Sequence, residues 1–445
     1  MKKTALFIAA AITAFLLCSC GNKSEKTEST EADSIYYLNF KPEAAQIYEN
    51  IAKAYKEETG ITLNVVTAAS GTYEQTLKSE IAKADAPDIF QINGPKGYAN
   101  WKNYCADLSD SEIYKHLNDK SLAISTEEGV FGIPYVVEGY GIICNEKIMN
   151  DYFALDTKKT DINSAGEINN FEKLSEVAED MTAHKEKLGI KGVFASTGLK
   201  TGDAWRWHTH LANIPLYYEF MDNNIDLTGS QTKEIKFEND NQFKNIFDLY
   251  INYSTVEPKI LGTKQTADSM AEFALGQCAM VQNGNWAWEQ IKDVSGNTVR
   301  EEDIRFIPIY TGHEGEENQG IAVGTENFLA INSKSSLQKQ KLAADFIYWL
   351  FSSEKGKYFV TNELGFITPF DTFEENQKPS DPLAREVIRW MENDKVTNIP
   401  WNFTIFPGQN FKDEFGSYLL QYAQGKIKWE DVKTGVVEKW KSEQT

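Results

Sequence analysis

Two of the ten tryptophans in this 445-residue chain stand two apart, Trp286 and Trp288, in the stretch NGNWAWEQIK, residues 283–292. An indole has a flat apolar face and one N–H, so it either packs in a core or offers a platform to a ligand with apolar C–H faces. Asn283 and Asn285 beside them could donate to ligand hydroxyls or cap the helix that starts there, and the sequence leaves both open. A second polar–aromatic run, TGDAWRWHTH at 201–210, holds Asp203, Trp205, Arg206, Trp207 and His208. It reads either as a solvated loop over a core tryptophan or as a segment turning Trp205 and Arg206 toward a ligand. A third, IPWNFTIFPGQNF at 399–411, is too irregular for a helix interior and offers Trp401.

Other chemistries lack their residues. His208 and His210 are two apart with no third ligand nearby, which is not a helical zinc pattern, so neither metal nor cofactor is expected. Cys105, Cys144 and Cys278 are widely spaced, odd in number and in apolar contexts; they read as buried thiols, not a disulfide framework. No phosphate loop and no Ser-His-Asp order is present. A formal charge of −20 argues against nucleic acid as a partner.

The elements that must position these residues follow a leader. MKKTALFIAAAITAFLLCSC has a basic head, a short apolar run and small residues before Cys20, so residues 1–19 read as a secretory signal peptide. The apolar run is too short to span a bilayer. The stretch Leu17–Gly21 resembles a lipoprotein lipobox, which would make Cys20 the lipid-modified first residue. Residues 20–34 then form a lipidated, polar tether with no large apolar side chain. The folded part begins near Ile35, and its length suggests two lobes. SIYYLNF, ITLNVVTA and DIFQIN read as strands, separated by a helix begun at Pro42 and stopped at Gly60 and by a second ending before Pro87. Strand–helix–strand–helix–strand predicts an α/β fold with a parallel sheet, whose strand carboxyl ends place Lys41 and Tyr73 at a ligand rim.

AYKEETGITLNVV, DAPDIFQINGP, GIPYVVEGYGIICNEKIM, FALGQCAMVQNGNWAWEQI, GTENFLAINSKS, ADFIYWLFSSEKGKYFV, LGFITPF and YAQGKIKWEDV occur in an order and spacing that resemble the extracellular solute-binding proteins of carbohydrate ABC transporters, the family that includes the maltodextrin-binding protein. The resemblance covers nearly the whole mature chain. It implies a two-lobed periplasmic-binding-protein-like fold of type II with three hinge crossings and a cleft between lobes. Lobe 1 would be 35–138 plus 325–365, and lobe 2 would be 142–322 plus 367–445. Trp286 matches the tryptophan that stacks on sugar in the family, with Trp288 packing at the helix start. Glu138 and Tyr140 at the first crossing, and Glu326 and Asn327 at the second, would line the cleft floor. The implied function is a lipid-anchored, extracytoplasmic, monomeric binding protein that captures an oligosaccharide and passes it to permease subunits. Two rivals stand beside it. One is a surface glycoside-active enzyme, in which Glu138 and Glu326 would be the two carboxylates. The other is the same fold binding a non-sugar solute.

Overall fold

The computed structural model describes residues 34–69, 71–227, 232–374 and 376–443. The signal peptide, Cys20 and nearly all of the tether therefore lie outside the described residues. Two mixed sheets organise the chain. The first has the order β2-β1-β3-β10-β5-β4, from β1 (Ser34–Asn39), β2 (Thr62–Thr67), β3 (Ile89–Asn93), β4 (Ile124–Thr126), β5 (Gly129–Pro134) and β10 (Asn327–Ile331). As the sequence predicts, β1 runs parallel to β2 and β3; β10 enters antiparallel between β3 and β5. The second has the order β11-β9-β6-β7, from β6 (Glu138–Asn145), β7 (Met280–Gly284), β9 (Gln319–Gly324) and β11 (Thr397–Pro400), with β8 (Ile304–Ile307) also paired to β6.

Both sheets are covered on both faces, so β6 is buried along its whole length and β3 along all but its last residue. One face of the first sheet packs against Tyr48, Ile51 and Tyr55 of the helix Ala45–Thr59, and the other holds Phe90, Ile92 and Phe328. That helix ends where Gly60 adopts φ +79° and its N–H reaches the Lys56 carbonyl, a left-handed stop that glycine adopts freely. The second sheet is sandwiched between a large aromatic core around Phe243, Phe415 and Trp440 and a smaller one around Phe273, Trp288 and Leu383.

The chain leaves the first sheet after Pro134 and enters the second at Glu138; it returns between Gly324 and Asn327. The third passage begins near Ile367, which bridges to Val137 and packs against the smaller core of the second sheet, before the chain touches the first core once more. Asn118 N–H donates to the Pro369 carbonyl, Asp371 N–H to that of His116, and Thr372 Oγ1 to that of Phe351, so residues 369–372 stay with the first sheet's core. The second core is rejoined by the helix Pro382–Met391.

Candidate functional site

Lys41 follows directly on the end of β1. Asn39 holds the turn, its Oδ1 accepting from the Lys41 N–H at 3.1 Å and its Nδ2 donating to the Lys41 carbonyl at 2.8 Å. The Lys41 ammonium donates to Glu138 Oε1 at 2.6 Å and lies 3.7 Å from Glu43 Oε1. All three groups are largely removed from water. Burial alone lowers an ammonium's pKa, but Glu138 and Glu43 outweigh it, and Lys41 is held above its ordinary range. The same burial raises Glu43. The ammonium also stands 6.0 Å from the Trp286 ring centroid and 5.8 Å from that of Phe366.

These groups line one concavity at the junction of the sheets, with Lys41, Glu43, Glu138, Asn285, Trp286 and Phe366 among its walls. As the lobes stand it admits water-sized spheres over only about 20 Å³, room for about one water. The Trp286 ring lies flat on Gly284, where a Cβ would sit 2.2 Å from the indole, so glycine is required there. Behind it stand Trp205 at 6.0 Å, His210 at 5.5 Å and Trp401 at 6.3 Å between ring centroids. Trp288, two residues on, is buried in the smaller core. The pair thus divides, one ring lining the cavity and one packing in the core.

The remaining candidates separate. Asn285 lines the cavity, but its amide is engaged: Oδ1 accepts from Gly139 N–H at 2.9 Å, stitching β7 to the crossing strand β6. Glu326 is partly buried beside Asn327, which donates to it at 2.9 Å. Burial, with the Glu138 carboxylate second, pushes Glu326 up to about 6.

Trp205 is a partly buried member of the ring cluster, and Trp401 is buried against Tyr140 and Phe403. Tyr140 does not face the cavity. It is 1% exposed and its hydroxyl donates to the His210 carbonyl at 2.9 Å. Tyr73 is likewise not on a rim: its hydroxyl accepts from Gln91 N–H at 2.6 Å beneath β3, and its ring packs edge-on to Phe40. Arg206 also turns inward, donating to the Gln282 carbonyl and Ser269 Oγ at 3.2 and 2.8 Å while lying over the Trp207 ring. Asn283 is buried, its Oδ1 taken by the Gly284 N–H. Among the described residues no group of three or more His, Cys, Asp or Glu is placed to hold a metal.

Three contributors were not anticipated. His210 is the hub of the ring cluster, 4.5 Å from Tyr140 and 4.8 Å from Phe403 between centroids. It shares a face with Trp205 because Arg206–Leu211 is a π-helix, which brings residues five apart into line. Asp381 caps the helix Pro382–Met391, its Oδ1 accepting from Ala384 N–H, and burial raises it to about 7 beside the cavity. The Asp-Pro pair before that helix was the available signal. Lys412, partly buried on the helix Gln409–Ala423, is lowered by burial and lies in the field of Glu326 and Glu74.

The sequence profile of bacterial extracellular solute-binding proteins matches residues 50–386, well over half of the chain. The chain belongs to this family. No curated protein sequence matches it. Among solved structures, a chitin oligosaccharide binding protein superposes with a TM-score of 0.69 at 17% identity, covering 92% of this chain and 98% of its own. The binding protein RafE in complex with raffinose gives 0.68 at 18%, covering 93% and 100%. A sugar transporter protein from Bacillus licheniformis in complex with stachyose gives 0.64 at 16%, covering 92% and 99%. At these identities the likeness shows the two-lobed periplasmic-binding-protein-like fold. Among the described residues no helix is long and apolar enough to cross a membrane.

Proposed function

We propose that this chain is a lipid-anchored extracytoplasmic receptor that captures a neutral oligosaccharide between its lobes and delivers it to an ABC importer. The observation that carries the reading is the partly buried Trp286 ring lining the cavity beside the Lys41–Glu138 pair. It offers an apolar platform on one side and a fixed donor and acceptor on the other, as a pyranose with apolar faces and hydroxyl edges requires. The lobes are 34–137 with 325–373 and 138–324 with 381–443, and Cys20 carries the anchor. Subsite residues are Trp286, Lys41, Glu138, Asn285 and Glu326, with Trp205 and Trp401 extending the aromatic wall and Asn327 orienting Glu326.

An acidic sugar fits poorly. Of the cations near the cleft, Lys41 is already matched by Glu138, Arg206 is buried in hydrogen bonds behind β7, and Lys412 lies in the field of Glu326 and Glu74. A hydrolase is the weaker alternative, since Glu138 is tied to Lys41 and the family consists of binding proteins. The chain acts as a monomer and needs no cofactor.

The test is a thermal-shift panel on the chain from Ser34 onward. Neutral oligosaccharides, uronic-acid oligosaccharides and polyamines are each supplied in excess. At 100 times its dissociation constant a ligand stabilises by about 2.7 kcal/mol. A shift with neutral sugars alone, without turnover, is expected; a shift only with polyamines or only with uronic acids would overturn the assignment.

A further inference from the structure

Beyond the cavity, the two lobes meet at their mouths through glycine. Gly94, at the end of β3 on the first lobe, has φ +57°, and a Cβ there would lie 2.6 Å from the Thr404 Cβ and 3.2 Å from its Cγ2. Thr404 belongs to the short turn Phe403–Ile405, whose Phe403 and Ile405 are part of the second lobe's core. The helix Gly94–Trp101 and that turn are in contact. A second approach repeats the device. Gly71 has φ +71°, and a Cβ there would fall 2.2 Å from the carbonyl oxygen of Gly202, which precedes the Trp205 run on the second lobe.

Both clashes are with atoms of the opposite lobe, and neither Gly94 nor Gly71 lines the cavity around Trp286; Gly94 adjoins Glu326, its N–H donating to the Glu326 carbonyl at 3.0 Å. The positive φ values explain why glycine suits each turn by itself. They do not explain why the other lobe fills the space where a side chain would be.

We propose that Gly94 and Thr404 form an affinity-determining pair outside the ligand cavity. The absence of a side chain at 94 sets how far the lobes can close, and through that how tightly any cleft ligand is held. The inference rests on the reading of the cleft as the ligand site. Its physical basis is that a ligand touching both lobes binds only the closed arrangement, so its apparent affinity scales with the closed fraction. A methyl group wedged at 94 lowers that fraction without touching the ligand.

The experiment separates interlobe clash from local strain. Gly94→Ala suffers both; adding Thr404→Gly removes the clash and leaves the strain at φ +57°. Spin labels at Ala99→Cys and Glu414→Cys, exposed on helices of opposite lobes, report the interlobe distance, the three native cysteines of the folded chain being buried. Distances are read without sugar and with maltose, raffinose or chitotriose, and affinities are measured for whichever probe binds.

The expected result is that Gly94→Ala depletes the short-distance population and weakens binding by roughly tenfold, the scale of an overpacking penalty. Gly94→Ala/Thr404→Gly should restore both to within about threefold. A double variant as open and as weak as the single one would overturn the proposal, because local strain would then be the cause. So would a wild-type chain with no short-distance population under any condition. Should no sugar bind, the sugar reading fails alone; a closed population lost in the single variant and regained in the double would still establish the latch.

Discussion

Trp286 and Trp288 carry the same side chain two positions apart, and their surroundings give them opposite jobs. Trp286→Ala should weaken sugar binding at least about 30-fold, as loss of a central aromatic anchor does, while costing less stability than the loss of a fully buried tryptophan. Trp288→Ala should do the reverse, costing about 3–5 kcal/mol of stability in a chemical denaturation series with affinity retained in the folded fraction. Arg206 is the residue most easily misread. Its guanidinium is lowered to about 10 by burial, against the opposing pull of Asp203 and Glu272, and its bonds go to Ser269 and the β7 backbone. Arg206→Ala should therefore cost about 2 kcal/mol of stability through the polar groups it orphans, with sugar affinity changed less than threefold.

At the scale of elements, the helix capped by Asp381 carries a pH signature. Its carboxyl is raised by burial from an ordinary value near 3.8 to about 7, so between those values the folded chain holds a proton that the unfolded chain releases. Stability from this group accordingly falls as pH rises from about 4 to 7. Asp381→Asn keeps a side-chain oxygen for the Ala384 N–H. It should stabilise the protein at pH 8 by on the order of 1 kcal/mol and flatten that slope, read from denaturant midpoints across the range. The π-helix Arg206–Leu211 explains why part of the site was illegible in the sequence. Apolar and aromatic spacing at 3.6 residues per turn does not align Trp205 with His210, so the histidine that centres the ring cluster gave no periodic signal. Tyr73 and Tyr140 show the converse. Strand positions were legible, but which way a side chain turns there depends on tertiary neighbours, Gln91 for one and the His210 carbonyl for the other.

At the scale of the whole molecule, the parallel start of the first sheet, the return of β10 to it and the clamp architecture were all readable, because buried strands, glycine stops and motif order are written locally. The return of residues 369–372 to the first core was harder to read, since it combines the buried Phe370, packed against Phe351, with backbone hydrogen bonds that side-chain types do not encode. On the proposed function, a neutral sugar sits on Trp286 between lobes that close on it. The most direct test is calorimetric titration of the wild type and Trp286→Ala with the best sugar from the panel. One site per chain is expected in the wild type, with binding in Trp286→Ala weakened at least about 30-fold. Equal affinity in the two proteins would contradict it and move the ligand away from this cavity.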